Sequence, residues 1–544
     1  MPDDKPTPIE IVMRYHRLSK HSPQAYAPGP GYLDWASQPD PFRRYQQTGR
    51  LALTLSADRL PTTWAALHDV TAEPRPLDCA GVGLLLELSL GLSAWKEYGA
   101  TRWALRCNPS SGNLHPTEVY VITPQLPGLS RGVYHYLSVE HLLERRATPA
   151  EDGWDALFAG GLLLALSSVH WREAWKYGMR AYRYCQHDAG HAIAALRYAA
   201  ASLGWRLRIL DDWADAEIAG LCGIDRETDF PCAEEREQPD CLLWLGPPDT
   251  PPDSGALLNS LNAAQWQGVA QPLSFAHREW RDIDDVTRAA VKPRTKSWPS
   301  WPVPLRPVMQ TADTPLNAAA VFRQRRSAVA FDGETQLSNA AFFTMLDALL
   351  PRAGVPPWDA LPWRPRIHPL FFVHRVQGLV PGIYLLPRHA DAEPLLGAAL
   401  RADWQWQPVN ECPSHLPLRL LVAADTRAAA GMIACHQDIA ADSVFALGML
   451  AEYRDSLAQG AWWYRYLFWE AGMLGQVLYL QAEAAGVRAT GIGCYFDDEM
   501  HRVLGLRDEA LQSFYHFTVG RAVEDTRLRT LAPYAHLVSR AAQS

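Results

Sequence analysis

Apolar residues alternate with polar ones, or form short continuous blocks, in four runs of the chain, and both patterns predict β-strands. The runs are TEVYVI at 117–122, GVYHYL at 132–137, LLLALSS at 162–168 and LRLLVAA at 418–424. Two longer segments, at 191–204 and 473–486, have the pattern of helices, and each ends at a glycine, which commonly follows a helix. Together they predict an α+β fold with antiparallel strands packed against long helices.

Ordered landmarks recur in the two halves of the chain, which indicates an internal repeat. YRY at 182–184 precedes DAG at 188–190, and YRY at 464–466 precedes EAG at 470–472 with the same spacing. NLHPTEVYVI likewise parallels RIHPLFFVHRV, and a Gly-aliphatic-Tyr triplet follows each of them. We therefore predict two tandem copies of one α+β domain.

A stretch rich in proline and tryptophan separates the two copies. The prediction is a first domain at 1–245, a connection at 246–318 that packs on the surface, and a second domain at 319–544. Two domains also suit the length of 544 residues, since single cores stop growing at about 250–300 residues.

The amino-acid composition indicates which classes of partner and which cellular compartment to expect. The net charge of −8 is spread without long basic runs, so neither nucleic acid nor an anionic membrane is an expected partner, and a small molecule or peptide is. The nine cysteines form no CxxC pair and are expected as free thiols. Without a signal-peptide pattern or an apolar run near the roughly 20 residues that span a bilayer, we expect a soluble cytoplasmic protein.

The segment RCNPSSGNLHP at 106–116 concentrates turn-forming residues, hydroxyls and amides directly before a predicted strand. A β-turn that caps its own backbone would use these residues, and so would a turn that holds a polar ligand. No HExxH, paired cysteine ligands, phosphate loop or dinucleotide-binding glycine motif occurs, so the sequence gives no support for a metal or a nucleoside triphosphate.

Four motifs in order resemble the flavin-dependent nitroreductase superfamily, and in particular its SagB-type dehydrogenase branch. They are RCNPSSGNLHP, AWKYGMRAYRY followed by DAGH, FRQRRSAVAFDG, and TGIGCYFDD, the last being similar to a flavin-covering loop. In that superfamily two copies of the fold form an intertwined dimer with FMN at the interface. The resemblance implies that the duplicated chain forms an internal pseudo-dimer, as a monomer or within a homodimer.

The two copies have diverged in complementary ways, which predicts one FMN per chain in a composite site. The first copy keeps PSSGN, and the second keeps RRS at 325–327 and TGIG at 490–493. The resemblance assigns the following residues to cofactor binding: Pro109, Ser110, Ser111, Asn113, Arg325, Arg326, Ser327, Gly491, Ile492, Gly493, Arg527 and Arg529.

The guanidinium groups of arginine and the hydroxyl groups of serine can bind a phosphate and a ribityl chain. The backbone amide of a glycine can approach a flavin ring closely, and the resemblance implies that one such amide faces the N5 atom. Alone, Arg325 and Arg326 would equally suit a solvated helix start. Val329 stands where the family usually has a basic residue near the N1 edge of the flavin. Either another cation replaces that residue, or the reduced ring is less stabilised.

Lys176 and Tyr177 are the predicted catalytic residues. In azoline dehydrogenases of the SagB branch, such a pair assists removal of a proton from a thiazoline or oxazoline ring while FMN accepts a hydride. A partly desolvated lysine can act as the base, since burial brings its pKa down to about 7–8. The alternative is an exposed helix face, because Lys176, Arg180, Arg183 and His187 share one helical stripe.

The leading hypothesis is therefore an FMN-dependent oxidoreductase that transfers hydride between the flavin and a small molecule or peptide. One alternative is an NAD(P)H-dependent nitro or quinone reductase, in which the nicotinamide donor binds transiently over the flavin. Another is a flavin-free homologue that serves as a binding or scaffold subunit.

Two further features have simpler interpretations. His115 and His368 recur before proline and suit a structural role, and Cys435, beside His436, suits a buried free thiol in a helix.

Overall fold

The computed structural model describes residues 5–150, 153–247, 250–299 and 301–537. Its helices are α1 (Pro8–Leu18), α2 (Trp64–His68), α3 (Cys79–Ser89), α4 (His170–Tyr177), α5 (Ala181–Ser202), α6 (Asp215–Cys222), α7 (Ser254–Leu261), α8 (Arg281–Ala289), α9 (Ala318–Gln324), α10 (Asn339–Asp347), α11 (Ala392–Ala399), α12 (Arg427–Ile433), α13 (Asp438–Asp442), α14 (Tyr453–Leu457), α15 (Trp463–Ala484) and α16 (Asp497–Leu504). None of the helices in these ranges is both long and apolar enough to cross a membrane.

The strands are β1 (Tyr45–Gln46), β2 (Arg50–Ala52), β3 (Leu92–Tyr98), β4 (Thr101–Arg106), β5 (Thr117–Thr123), β6 (Gly132–Leu137), β7 (Leu142–Thr148), β8 (Leu162–Ser168), β9 (Leu207–Ile209), β10 (Gln238–Leu245), β11 (Gln265–Trp266), β12 (Val269–Ala270), β13 (Ile367–Val373), β14 (Gly382–Leu385), β15 (Gln407–Pro408), β16 (Arg419–Ala423), β17 (Phe445–Glu452), β18 (Arg488–Ile492), β19 (Leu511–Gly520) and β20 (Arg529–Leu531). All four runs that the sequence assigns to strands form strands, namely β5, β6, β8 and β16.

Two antiparallel sheets show the duplication directly, since six strands of each occur in the same order. Only the edge strands do not correspond, because β11 lies in the connection and β15 lies between β14 and β16 in the chain. The first sheet has the order β11-β7-β6-β5-β8-β10-β9, and the second has the order β15-β16-β14-β13-β17-β19-β18. The strand that follows each His-Pro landmark, β5 or β13, therefore has the same neighbours in both copies. The predicted α+β fold in two tandem copies is confirmed.

Helices α5 and α15 join the two copies at the centre of the molecule. Each is 22 residues long and buried almost all round, as expected of helices that lie inside a core rather than on its surface. They end as predicted, because Gly204 and Gly486 adopt left-handed φ values of 71° and 74° just beyond them. The largest hydrophobic cluster contains residues of both copies, so one core runs through the molecule.

Segments cross between the copies on the outside as well. Strand β20, from the second copy, pairs with β3 of the first and extends the β3-β4 hairpin into a three-stranded sheet. The connection packs against the first copy, since β11 pairs with β7 at the edge of the first sheet and α8 packs against α1. The boundaries at 245 and 319 stay predictions; β10 ends at the first of them.

Candidate cofactor-binding site

A cavity of about 790 Å³ lies between the two copies and opens to solvent. Ten of the predicted cofactor-binding residues line it: Pro109, Ser110, Ser111, Asn113, Arg325, Arg326, Ser327, Gly491, Ile492 and Gly493. The turn before β5, the segment after α9 and the end of β18 thus meet at one place, although more than 200 positions separate the first from the second.

The PSSGN turn forms the wall contributed by the first copy and is held from beneath by Asp188 on α5. The Ser111 amide and hydroxyl each donate to Asp188 Oδ1 at 3.1 Å. Ser110 Oγ accepts the amide proton of His115 at 2.8 Å, and Asn113 Nδ2 donates to the carbonyl of Ala104 at 2.9 Å. These side chains therefore cap the turn and line the cavity at once, and the hydroxyl of Ser111 keeps its lone pairs for a ligand.

Two buried carboxyl groups lie beneath this turn. Burial raises the pKa of Asp188 to about 7, against the opposing effect of its hydrogen bonds from Ser110 and Ser111. Burial, reinforced by the nearby Asp188, also raises the pKa of Glu173 well above its usual range. Neither carboxyl oxygen of Glu173 has a hydrogen-bond partner among the described residues, which favours its neutral form.

Lys176 and Tyr177, at the end of α4, reach the same turn at Gly112. Gly112 has a φ of 59°, and a Cβ atom there would lie 2.5 Å from the Tyr177 hydroxyl and 3.1 Å from the Lys176 ammonium nitrogen. Tyr177 lines the cavity, whereas Lys176 lies behind Gly112 with its ammonium 5.3 Å from the Tyr177 ring centroid. Burial raises the pKa of Tyr177 well above its usual range, so its phenol stays a proton donor at neutral pH.

Arg325 is buried and Arg326 is half-buried, which differs from the alternative of a solvated helix start. Arg325 donates to the carbonyls of Arg106 and Cys107 at 3.1 and 3.2 Å, which ties the second copy to the PSSGN turn. Arg326 donates to backbone carbonyls as well, among them that of Ser93 at 3.0 Å. Among the described residues no carboxylate lies within ion-pair distance of either side chain. Buried guanidinium groups without a counter-charge create a site for an anion.

Two more cations, Lys96 and Arg488, line this end of the cavity. Burial and then the neighbouring Arg326 lower the pKa of Lys96, and burial and then Arg325 lower that of Arg326 to about 10. These shifts show that the cations repel one another, although Arg488 also pairs with Glu483. Sequence reasoning missed both residues: Arg488 stands two positions before TGIG and could have been found there, whereas Lys96 has no motif around it.

The TGIG segment packs through its two glycines. The Gly491 amide donates to the Tyr479 hydroxyl at 3.0 Å, and that hydroxyl lies 2.7 Å from Ser327 Oγ. A Cβ at Gly491 would overlap the hydroxyl of Tyr515, and one at Gly493 would overlap the ring of Tyr184. Because the Gly491 amide is already engaged, Gly493 is the better candidate of the two to face a ligand.

Arg527 and Arg529 do not contribute to the cavity. Arg527 pairs with Asp525, and Arg529, whose side chain is 77% exposed, lies 3.6 Å from Glu97. Leu528 and Thr530 line the cavity instead, since alternate residues of an extended segment point to opposite sides. Val329 lines the cavity and is 79% exposed, so a longer side chain would fit at that position.

A smaller cavity of about 310 Å³ occupies the place that corresponds to the site in the other copy. It is lined by Arg208 and Ile209 of β9, by the segment before β13, and by Trp298 and Trp301 of the connection. Glu470, the counterpart of Asp188, accepts the Arg366 amide at 2.9 Å much as Asp188 accepts that of Ser111. Trp363 stacks on Tyr466 at 4.5 Å and fills the space that the first site keeps open.

Two groups of potential metal ligands lie outside the cavity. Cys232, Glu235 and His277 form one, and His368, His389 and Glu452 form the other. In the first, the two Glu235 oxygens already accept backbone amide protons from Leu273 and Ser274, and in the second Arg366 pairs with Glu452. Their ligand atoms thus have protein partners.

His115 is buried and lines the cavity, where it bonds to Asn113 at 2.9 Å.

Comparison with known proteins agrees with the fold. No family model matches the chain. A provisionally named nitroreductase of Methanocaldococcus jannaschii is 29% identical over 170 residues, which cover 29% of this chain and 84% of that protein. The crystal structure of a provisionally named nitroreductase from Anabaena variabilis superposes with a TM-score of 0.66 at 22% identity and covers 94% of this chain and 99% of its own.

A chain of the E. coli microcin synthetase McbBCD complex covers 44% of this chain and 92% of its own at 18% identity, with a TM-score of only 0.26. Such a score supports no conclusion about function. The superposition with the Anabaena structure covers nearly the whole of both chains, so the similarity in fold extends over the two tandem copies. Activity and cofactor are not shown by a likeness of this degree.

Proposed function

We propose that the protein is an FMN-dependent oxidoreductase that holds one flavin in the cavity between its two copies. One observation carries the proposal. The PSSGN turn, the Arg-Arg-Ser segment and the TGIG segment line a single cavity, and one end of it gathers Arg325, Arg326 and Lys96, for which the described residues provide no carboxylate within ion-pair distance. The nitroreductase names of the relatives support the same class of enzyme.

The residues present fit an FMN group. The phosphate would lie at the cationic end, where a dianion would relieve the repulsion among Arg325, Arg326 and Lys96. Ser327 and Ser111 offer hydroxyls to the ribityl chain. Gly493 lines the cavity, so its backbone could approach the flat ring, while the space that a side chain would need is taken by Tyr184.

When bound, FMN would accept or donate a hydride at N5, and the protein would supply the proton chemistry beside it. Tyr177 keeps its proton and can donate a hydrogen bond to a substrate in the cavity. The ammonium of Lys176 lies behind Gly112, close to the Tyr177 hydroxyl, where it can take up or release a proton through that phenol. This geometry supports the SagB-type version of the proposal, in which an azoline ring of a peptide is oxidised.

Flavin binding tests the cavity. Arg325→Met should lower the FMN affinity at least about tenfold, because a charge-assisted contact to phosphate is worth roughly 1.5–3 kcal/mol. Arg529→Met removes an exposed cation of the same surface outside the cavity and is the matched control. Fluorescence titration of the stripped protein with FMN measures both. Equal affinities in the two variants, or no binding by the wild type, would refute the proposal.

Lys176→Ala tests the catalytic assignment. We expect kcat for oxidation of an azoline peptide to fall by about 10²–10⁴-fold, the usual contribution of a general acid or base, while FMN content stays unchanged. Tyr177→Phe should lower kcat by a similar factor, because the proton passes between Lys176 and the cavity through that hydroxyl. Unchanged turnover in Lys176→Ala would leave the flavin site standing but remove the azoline version, and rapid reduction of the flavin by NAD(P)H would then favour a nitro or quinone reductase.

A further inference from the structure

Two cysteines from separate segments meet in the wall of the cavity. Cys435 follows α12, and Cys494 follows β18, directly after TGIG. The Phe496 amide donates to the carbonyl of Ile433 at 2.8 Å, and Gln437 Nε2 donates to the carbonyl of Cys494 at 3.0 Å, so the two segments are bonded on both sides of the sulfurs. The two side chains are therefore near enough for each to shift the pKa of the other.

Cys435 differs from the sequence expectation of a buried thiol in a helix. It is only half-buried, and both it and His436 have left-handed backbones, with φ values of 55° and 59°. Such a conformation is unfavourable for residues with a Cβ and is held by the surrounding bonds. Tyr26, which is 56% exposed, lies near Cys435, and burial and then that thiol raise the pKa of its phenol.

Cys494 faces the cavity and is surrounded by groups that favour its thiolate. His21 Nδ1 accepts the Ala27 amide proton at 2.9 Å, so the other ring nitrogen carries the proton and can donate to Cys494. The guanidinium of Arg180 lies nearby, and the phenols of Tyr177 and Tyr184 face the sulfur from the cavity side.

Cys494 therefore differs from the other eight cysteines. The neighbouring Cys435 and then His21 lower the pKa of Cys494 to about 5. The pKa of each of the others is raised, by burial or, for Cys435, first by the neighbouring Cys494. A thiolate in contact with a second thiol is the arrangement from which a disulfide forms by exchange.

We propose that Cys435 and Cys494 are a redox modification site, a thiol pair that low-molecular-weight disulfides convert into an intramolecular disulfide in the cavity wall. In the first step the Cys494 thiolate attacks a disulfide RSSR, which forms a mixed disulfide and releases one thiolate RS⁻. In the second step Cys435 gives up its proton and attacks the Cys494 sulfur, which releases the second RS⁻. Overall, RSSR is reduced to two thiols while the protein dithiol is oxidised.

Formation of this disulfide would restrain the loop that follows TGIG. A disulfide would join this loop covalently to the segment after α12, and both Cys494 and Gln437 line the cavity. Oxidation would therefore fix one wall of the cavity in place. The exchange uses only the cysteines and an external disulfide, so its test is independent of whether FMN binds.

Alkylation tests the activation of Cys494. The purified protein is treated with a limiting amount of iodoacetamide near pH 6, where a thiol of ordinary pKa is almost wholly protonated. Peptide mapping by mass spectrometry should find Cys494 modified at least about tenfold faster than Cys79, Cys232 or Cys412, the other half-buried thiols outside the pair. Modification of any of these three at the same rate would contradict the proposal.

Oxidised glutathione tests the pair. The wild type should release two equivalents of glutathione and yield one cross-linked peptide that contains both Cys435 and Cys494. Cys435→Ser should stop after the first step and retain one glutathione on Cys494, and Cys79→Ser, the matched control, should behave as the wild type does. A wild-type protein that keeps glutathione on Cys494, or that forms no adduct or cross-link at all, would overturn the proposal.

Discussion

At the scale of single residues, the buried carboxyl groups beneath the PSSGN turn hold the turn in place and also depend on pH. Asp188 accepts two hydrogen bonds from Ser111, yet burial raises its pKa to about 7. In an unfolded chain the same group has a pKa near 3.9. Between about pH 4 and pH 7 the folded protein therefore binds a proton that the unfolded chain releases, and the contribution of Asp188 to stability falls as the pH rises.

Asp188→Asn removes this titration while keeping an oxygen acceptor for Ser111. The free energy of unfolding of the wild type should fall more steeply than that of the variant from about pH 4 to pH 7, by up to about 1.4 kcal/mol per pH unit. Calorimetric scans at several pH values measure the difference. Asp240→Asn is the comparison, since burial raises the pKa of Asp240 to about 6 and it lies away from the cavity, so this variant should differ from the wild type only between about pH 4 and pH 6. Parallel profiles for the wild type and Asp188→Asn would contradict the assignment.

The sequence indicates residues well where their chemistry lies in a contiguous motif. Ser111, Arg325 and Gly493 are examples, and all three line the cavity. Sequence reasoning fails for residues that join the site only through folding. Lys96 lies in a strand that carries no motif, and Asp188 bonds to the turn only because α5 packs under it. For Arg529 the sequence predicted a contact with the cofactor, but the side chain lies outside the cavity because its neighbour Thr530 takes the inward position of the strand.

At the scale of elements, α5 and α15 cross where the repeat places two corresponding glycines. A Cβ at Gly190 would overlap the carbonyl of Trp469, and one at Gly472 would overlap the carbonyl of His187. The backbones of the helices are thus in direct contact at the centre of the molecule. Sequence comparison marked both glycines only as landmarks, since their role depends on a partner helix that is 282 positions away.

Gly472→Ala should destabilise the protein by about 1–3 kcal/mol, because an added methyl group must push two packed helices apart. Gly220→Ala is the matched control within a helix. Its Cβ would meet Leu258 at an ordinary 3.4 Å, so this change should be neutral or stabilising by up to about 1 kcal/mol. Urea unfolding measures both variants. A Gly472→Ala protein as stable as the wild type would show that the helices do not pack as closely as described.

At the scale of the whole molecule, two copies of one fold have become unequal. The first site keeps an open cavity of about 790 Å³, and its counterpart has shrunk to about 310 Å³ around Trp363 and residues of the connection. Strand patterns and the repeat allowed the sequence to predict the two copies and the composite site. The sequence did not indicate that the connection forms β11 and α8, because proline and tryptophan are as compatible with a packed segment as with a linker.

This asymmetry predicts one FMN per chain. Calorimetric titration of the stripped protein should give a single site. Arg208→Met, which changes the smaller cavity, should leave that value at one, whereas Arg325→Met should remove the site at the same FMN concentrations. A value of two in the wild type would show that Trp363 moves aside and that the second cavity also accepts flavin.

The pairing of β20 with β3 has a consequence for biosynthesis. Lys96 and Thr530 line the same end of the cavity and are joined by a hydrogen bond of 2.7 Å, yet the ribosome makes them more than 430 residues apart. The first copy can begin to fold long before β20 exists, since domains fold in the order of their synthesis. The cationic end of the cavity is therefore completed only after nearly all of the described chain has been made, and the proposed flavin could bind there only late in the maturation of the protein.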